Sequence, residues 1–350
     1  MQGQPLVSAI LGDQPLVLAG GEWNFSGNLR RLALSGDHRS LLADLTLNVS
    51  RLQYHQVEFT GLRGRLELDG TTIRGREWAV STTSGNRLTG DFLWRRDAGL
   101  FAADFACDGA PQFLPQLLPE KESRYLEKLF AEITWPHHPQ AVAIEGTATV
   151  NMTAGAPYFL LNADVTMQDF AWRQVPFRFG TARLQLDSAQ LLLIPTMILE
   201  REEGRAVLSL ALDQRREPAA DPPAGWLPGA SSEPRDCLEL EFDSTLSGNA
   251  FLPLLMAEWK PGTAGLDLAE VLPIRGGGTL DYLDPARTMV RAHIERASGR
   301  WHSLPFAEVR SDLELGATTF ALPALTGKLA GGELSFSCRL DHAAGVGQVS

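Results

Sequence analysis

Residues 301–315 read WHSLPFAEVRSDLEL, and the pattern of this stretch occurs three times in the chain. The other copies begin at Tyr54 (YHQVEFTGLRGRLEL) and Trp172 (WRQVPFRFGTARLQL), and the three align without a gap. Each opens on an aromatic residue. An aliphatic follows at +3 (Val57, Val175, Leu304) and Phe at +5 (Phe59, Phe177, Phe306). Leucines stand at +12 (Leu66, Leu184, Leu313) and +14 (Leu68, Leu186, Leu315). An apolar residue comes at +19 (Ile73, Leu191, Phe320) and a glycine near +31 (Gly85, Gly204, Gly332). Agreement at fixed offsets marks a repeat architecture.

The period inside each copy is two, as in β-strands. Leu45, Leu47 and Val49 alternate with Thr46, Asn48 and Ser50; Leu238, Leu240 and Phe242 alternate with Glu239, Glu241 and Asp243. Leu334, Phe336, Cys338 and Leu340 alternate with Glu333, Ser335, Ser337 and Arg339. Such strands carry one apolar and one polar face, which antiparallel sheets tolerate because one face can stay wet. In every copy the apolar phase slips just after the Phe, so one extra residue, a bulge or tight turn, is expected there.

Outside the copies the pattern changes. Residues 113–132 space Leu117, Tyr125, Leu126, Leu129 and Phe130 helically, with Ser123 as a possible cap. Residues 251–272 look related, since both stretches open on Phe-Leu-Pro. Residues 214–236, rich in Pro, Ala and charge, read as a flexible surface loop between two long strands. The chain therefore divides into leading strands (1–42), a first repeat unit (43–107), a helical insert with a linking strand (108–150), a second unit (151–213), the loop (214–236), a strand with a second insert (237–285) and a third unit (286–350).

The chain has 350 residues, 44% of them hydrophobic, so a substantial core is expected. Its net charge of -11 argues against nucleic acid and against broad adhesion to anionic headgroups, but not against acyl chains. Cys107, Cys237 and Cys338 lie far apart, and Cys107 and Cys338 sit in phase with apolar neighbours, as small buried hydrophobes would. The motifs HExxH, GxSxG and GxxxxGK[ST] are missing. Gly276-Gly277-Gly278 reads as a turn before a strand, and His137-His138, between prolines, has no third ligand nearby. Asp69, Asp187, Asp213 and Asp341 read as turn residues and solvated strand ends, and Tyr54, Trp172 and Trp301 as packing anchors. Neither an enzyme nor a cofactor is expected. No signal peptide opens the chain, and no apolar segment reaches the roughly 18 residues a membrane helix needs. The chain reads as a piece of something longer.

Three elements resemble the AsmA-like family of bacterial envelope proteins, the type that includes TamB and YhdP. They are WHSLPFAEVRSDLEL, the closing phrase LTGKLAGGELSFSCRLD (325–341), and LFAEITWPHHPQAVAIEGTATV (129–150), where a helix leads through prolines into a strand. The resemblance covers most of the chain from about residue 43 onward. It implies an all-β fold with short helical inserts, an elongated, twisted antiparallel sheet curved into an open apolar groove. It further implies a periplasmic location, with inner-membrane anchoring through a segment not present here, and a groove that conducts phospholipid acyl chains between inner and outer membranes. The lining would be Val57, Phe59, Leu66, Leu68, Phe177, Leu184, Leu186, Phe306, Leu313, Leu315, Leu334 and Phe336. On this reading Leu68→Glu or Leu315→Glu blocks lipid transfer while leaving the fold largely intact.

Physics permits the idea. A one-sided apolar sheet must cover its apolar face, and a buried acyl chain gains about 0.8 kcal/mol per CH₂ without any precise polar site. Two other readings stay open. In one, the chain is a structural or protein-interaction module of the envelope with a self-covered core. The other is a carbohydrate-active β-repeat enzyme, which predicts coils of about 20–30 residues, whereas 118 residues separate Tyr54 from Trp172.

Overall fold

The computed structural model describes residues 23–31, 42–54, 57–117, 127–128, 130–152, 158–187, 191–213, 235–255, 265–268, 270–280, 288–341 and 344–349. The strands among these described residues belong to a single antiparallel sheet of 20. The chain clusters into two compact units, Met1–Thr166 and Met167–Ser350.

In the first unit the chain runs back and forth, each strand antiparallel to the one before. The order is β1 (Trp23–Arg31), β2 (Leu42–Tyr54), β3 (Val57–Asp69), β4 (Thr72–Thr82), β5 (Arg87–Arg95) and β6 (Leu100–Asp108). The chain then leaves the sheet through a 3-10 turn at Leu114–Leu117, the two-residue β7 (Ile133–Thr134) and a second 3-10 turn at Pro139–Ala141. It returns as β8 (Val142–Asn151), paired with β6. The boundary between the units falls inside β9 (Tyr158–Trp172).

The second unit repeats the plan. β10 (Val175–Asp187), β11 (Leu191–Glu200), β12 (Arg205–Asp213) and β13 (Arg235–Ser244) pair in sequence. An excursion follows, made of helix α1 (Gly248–Leu255) and the two-residue β14 (Leu266–Asp267). β15 (Ile274–Leu280) then returns to pair with β13. β16 (Met289–Trp301), β17 (Leu304–Gly316), β18 (Thr319–Leu329), β19 (Gly332–Asp341) and β20 (Val346–Val349) complete the order. The excursions after β6 and β13 divide the long strands into three sets of six.

The strand opening each set carries a glycine that lies against the residue nine before the repeat's aromatic. These contacts are Gly27 against Leu45, Gly146 against Ala163 and Gly276 against Ala292. A Cβ at these glycines would run into the carbonyl oxygens of Asp44, Asn162 and Arg291. This overturns the turn expected at Gly276-Gly277-Gly278, because all three glycines lie within β15. Their function is close approach of neighbouring backbones, the usual meaning of glycine inside a strand.

The phase slip has a visible origin. In β3 the buried or half-buried apolar row runs Val57, Phe59, then Leu62, Gly64, Leu66 and Leu68, and Gly61 between the two phases has φ 62. In β17 the equivalent residue Glu308 has φ 56, a left-handed conformation that makes a non-glycine residue costly. In β10 the row slips from Phe177 to the buried Gly180, and the left-handed residue lies on the preceding strand at Asp169, φ 51.

Other expectations meet mixed outcomes. Asp69, Asp187, Asp213 and Asp341 each close a strand. Of the stretch 113–132, a 3-10 turn covers Leu114–Leu117, and 127–128 and 130–131 are helical; Ser123 lies outside the described residues. The second helix starts at Gly248, before Phe251. The segment 214–234 joins β12 to β13 but lies outside the described residues, as do most of the leading residues 1–42.

Candidate functional site: the apolar face

Residues opposite each other in adjacent strands share a face, so the register defines apolar rows across the sheet. In the first unit one row runs Leu45, Leu66, Gly75, Phe92, Ala103, Ala148. Beside it runs Ala43, Leu68, Ile73, Trp94, Phe101, Val150. In the second unit Leu208, Phe242, Gly276, Ala292 and Leu313 line up, and so do Leu210, Leu240, Gly278, Val290, Leu315, Phe320 and Leu340. Each row joins five to seven strands without a charged residue.

The expected lining residues divide by exposure. Val57, Phe59, Leu66, Leu68, Phe177, Leu313 and Leu315 are buried. Leu184, Phe306, Leu334 and Phe336 are half-buried, and Leu186 is 36% exposed. Leu66 and Leu68 pack in one cluster with Ala43, Ile73, Leu45, Trp78, Phe92 and Trp94. Val57 and Phe59 pack in another with Cys107, Phe113, Val80, Leu88, Leu114 and Ile144. Phe177 stacks on Phe170, with ring centres 5.4 Å apart. Because Leu68 and Leu315 are buried, Glu at either position breaks the packing of the sheet. The expected block of transfer with an intact fold is therefore replaced by loss of the fold.

Sequence reasoning missed the residues that leave apolar surface open beside these buried rows. Trp78, Phe92, Trp94 and Phe101 are half-buried. The Trp78 and Phe92 rings lie 5.4 Å apart, and Phe92 and Phe101 stack at 5.8 Å. Gly64 and Gly75 make room, since a Cβ on Gly64 would come within 2.8 Å of the Trp78 ring and one on Gly75 would overlap the Phe92 ring. The Trp78 indole N–H is buried with no hydrogen-bond partner. Leaving such a group unpaired costs about 1–3 kcal/mol. The signal was present in the glycines at Gly75 and Gly90 inside strands, each opposite an aromatic, Phe92 and Trp78.

The other face is polar. Arg76–Glu67 (3.3 Å), Arg291–Glu314 (3.4 Å) and His293–Asp312 (2.8 Å) pair across strands. Exposed pairs like these contribute little stability but keep the face wet. A shallow depression of about 940 Å³ in the first unit brings Arg63, Arg65, Asp91, Asp104 and Glu145 together. Its counterpart of about 880 Å³ in the second collects Arg275, Arg291, Asp312 and Glu314. Both mix charges of opposite sign, so neither concentrates a field for phosphate or for a cation.

Among the described residues no group of three or more His, Cys, Asp or Glu converges on a point, and His137 and His138 are exposed. No described helix is long and apolar enough to cross a membrane. Cys107 is buried in the Phe59 cluster, while Cys338 is half-buried and the Cys237 side chain lies outside the description. Burial, and then the charge of Asp108, push the Cys107 thiol up to about 11. A raised thiol pKa favours the neutral folded form, so this contribution is complete below the ordinary thiol pKa and is lost as pH rises toward 11. With a thiol-reactive chromogen at pH 8, Cys107 is expected to stay unmodified in the native protein and to react only in denaturant. Native-state labelling at Cys107, located by peptide mapping, would contradict this burial.

Comparison with protein-family models, with curated proteins and with solved structures finds no match to this chain.

Proposed function

We propose that this chain is a non-enzymatic, lipid-binding segment of a bacterial envelope protein of the AsmA-like type. Its apolar face would form a groove that carries phospholipid acyl chains between inner and outer membranes, in the periplasm, with anchoring supplied outside residues 1–350. The observation that carries this reading is the set of apolar rows that cross strand after strand without a charge. Successive positions along such rows are alike, so an acyl chain meets no deep trap and gains about 0.8 kcal/mol per buried CH₂. The half-buried aromatics Trp78, Phe92 and Trp94 offer it a wall.

A second reading has its own support. Phe113 and Leu114 pack onto the apolar face in the first unit, and Phe251 lies 5.3 Å from Phe242 in the second. A face covered by its own chain suits a structural or protein-interaction module.

Organic extraction of the purified protein followed by mass spectrometry separates the two, with photo-crosslinking residues at Phe92, Leu186 and Phe336. Co-purified phospholipid crosslinked at all three positions is the expected result. Lipid-free protein with no crosslink at any of them would leave the interaction module.

A further inference from the structure

A register slip in β4 selects which of its side chains reach the apolar face. Ile73 and Gly75 are buried on that face, so strict alternation would place Glu77 there next. Instead Arg76 and Glu77 together stand opposite Asp91, between the pairs Gly75–Phe92 and Trp78–Gly90. Such an extra residue is a β-bulge, and it moves every later side chain of the strand to the other face. Glu77 is therefore exposed on the polar face, 3.6 Å from Arg65. Trp78 reaches the apolar face, with its ring centre 5.4 Å from that of Phe92. Val80 follows it there, packed against the cluster of Val57 and Phe59.

The bulge is strained and is held by a side chain. Glu77 has φ 55, a left-handed conformation that disfavours a non-glycine residue. The Asp91 carboxylate accepts the Glu77 N–H at 2.7 Å. The second repeat slips at the matching place, between Ile194 and Met197, where Pro195 has no N–H to satisfy. There the Ser209 hydroxyl donates to the Pro195 carbonyl oxygen at 2.9 Å. Ser209 stands at the same offset from Trp172 as Asp91 from Tyr54. The third repeat slips between Leu322 and Leu325, again over a proline, Pro323. The first repeat has no proline in its bulge, and a carboxylate stands beside it instead.

We propose that Asp91 is a positioning residue for the apolar face: by holding the Glu77 N–H it fixes the bulge, keeps the Glu77 carboxylate off that face and seats the Trp78 ring on it. The hydrogen bond stabilises the one register in which β4 carries no charge into the apolar rows. Without it Trp78 loosens from its place over Gly64 and Gly75, and the strand samples the straight pairing that turns Glu77 toward Phe92. The consequence for lipid rests on the groove reading above. An acyl chain meets an indole ring in one register and a carboxylate in the other.

The test is fluorine NMR of the full chain labelled with fluorotryptophan, the Trp78 resonance being identified by its loss in Trp78→Phe. Asp91→Ala is expected to shift and broaden that resonance and to leave the other tryptophan signals in place. Asp91→Asn, which keeps an acceptor oxygen, should restore it. So should Glu77→Gly combined with Asp91→Ala, because glycine adopts the left-handed conformation without strain and holds the bulge unaided. Asp91 is exposed, so the fold survives its replacement. An unmoved Trp78 resonance in Asp91→Ala would overturn the proposal, and so would failure of either second variant to restore it. Phospholipid recovered from the same proteins by organic extraction is expected to fall at least twofold in Asp91→Ala and to return in Asp91→Asn. A parent protein that yields no phospholipid, with Trp78 still displaced by Asp91→Ala, would sink the groove reading and leave the positioning role upheld.

Discussion

Leu68→Glu is expected to destabilise the first unit by about 4 kcal/mol, enough to leave a large part of the protein unfolded at 37 °C. Leu68 sits in the middle of the row from Ala43 to Val150, opposite Ala43 on one side and Ile73 on the other. Losing its burial removes about 1.5–3 kcal/mol. The remainder is the cost of placing a carboxyl among Leu66, Ile73 and Trp94. That environment raises the pKa of the introduced carboxyl, so the deficit grows as pH rises from 5 to 8. Leu186→Glu, at the equivalent position of the second repeat, is expected to cost less than about 1 kcal/mol, because Leu186 is exposed. Urea unfolding followed by tryptophan fluorescence distinguishes the two. If Leu68→Glu unfolds at the same urea concentration as Leu186→Glu, the apolar row is open to water at Leu68 and the core has been placed wrongly.

This contrast between equivalent leucines shows how far the sequence could be read. Period-two alternation and the three aligned copies point to strands of one kind, and β3, β10 and β17 stand where those copies lie. The phase slip was legible because it moves apolar residues from odd to even positions. How deeply each leucine is buried was not legible, because burial depends on what lies over the face. Leu68 has Trp94 and Ile73 beside it, and no pattern within β3 encodes that. The covering role of Phe113 was hidden for the same reason: a lone Phe-Leu-Pro looks like the start of a helix, and its target is more than fifty residues earlier in the chain. Trp78 escaped notice because a bulge at Glu77, φ 55, shifts it onto the apolar face against simple alternation.

Glycine 276 separates two accounts of a β-strand. By strand propensity alone, Gly276→Val should stabilise β15, since valine is favoured over glycine in strands by up to about 1 kcal/mol. The packing predicts the opposite sign. β15 is held between β13 and β16, and a Cβ on Gly276 would lie 2.7 Å from the Ala292 Cα and run into the Arg291 carbonyl oxygen. The obstacle is backbone, so no side-chain rotation relieves it. Either β16 moves away and hydrogen bonds along β15 stretch, or β15 twists locally. Overpacking of this kind costs about 2–3 kcal/mol, which corresponds to a melting temperature lower by about 8 °C for a unit of this size. Gly332→Val is the control: Gly332 opens β19, is exposed, and its nearest neighbour to an added Cβ is the Leu329 carbonyl oxygen at 3.7 Å. That variant is expected to melt within about 2 °C of the parent protein. Should Gly276→Val melt at or above the parent, the strands are not in close approach there. The shared glycine of β1, β8 and β15 would then be a coincidence of composition, not the point at which each six-strand set is fastened to the next strand.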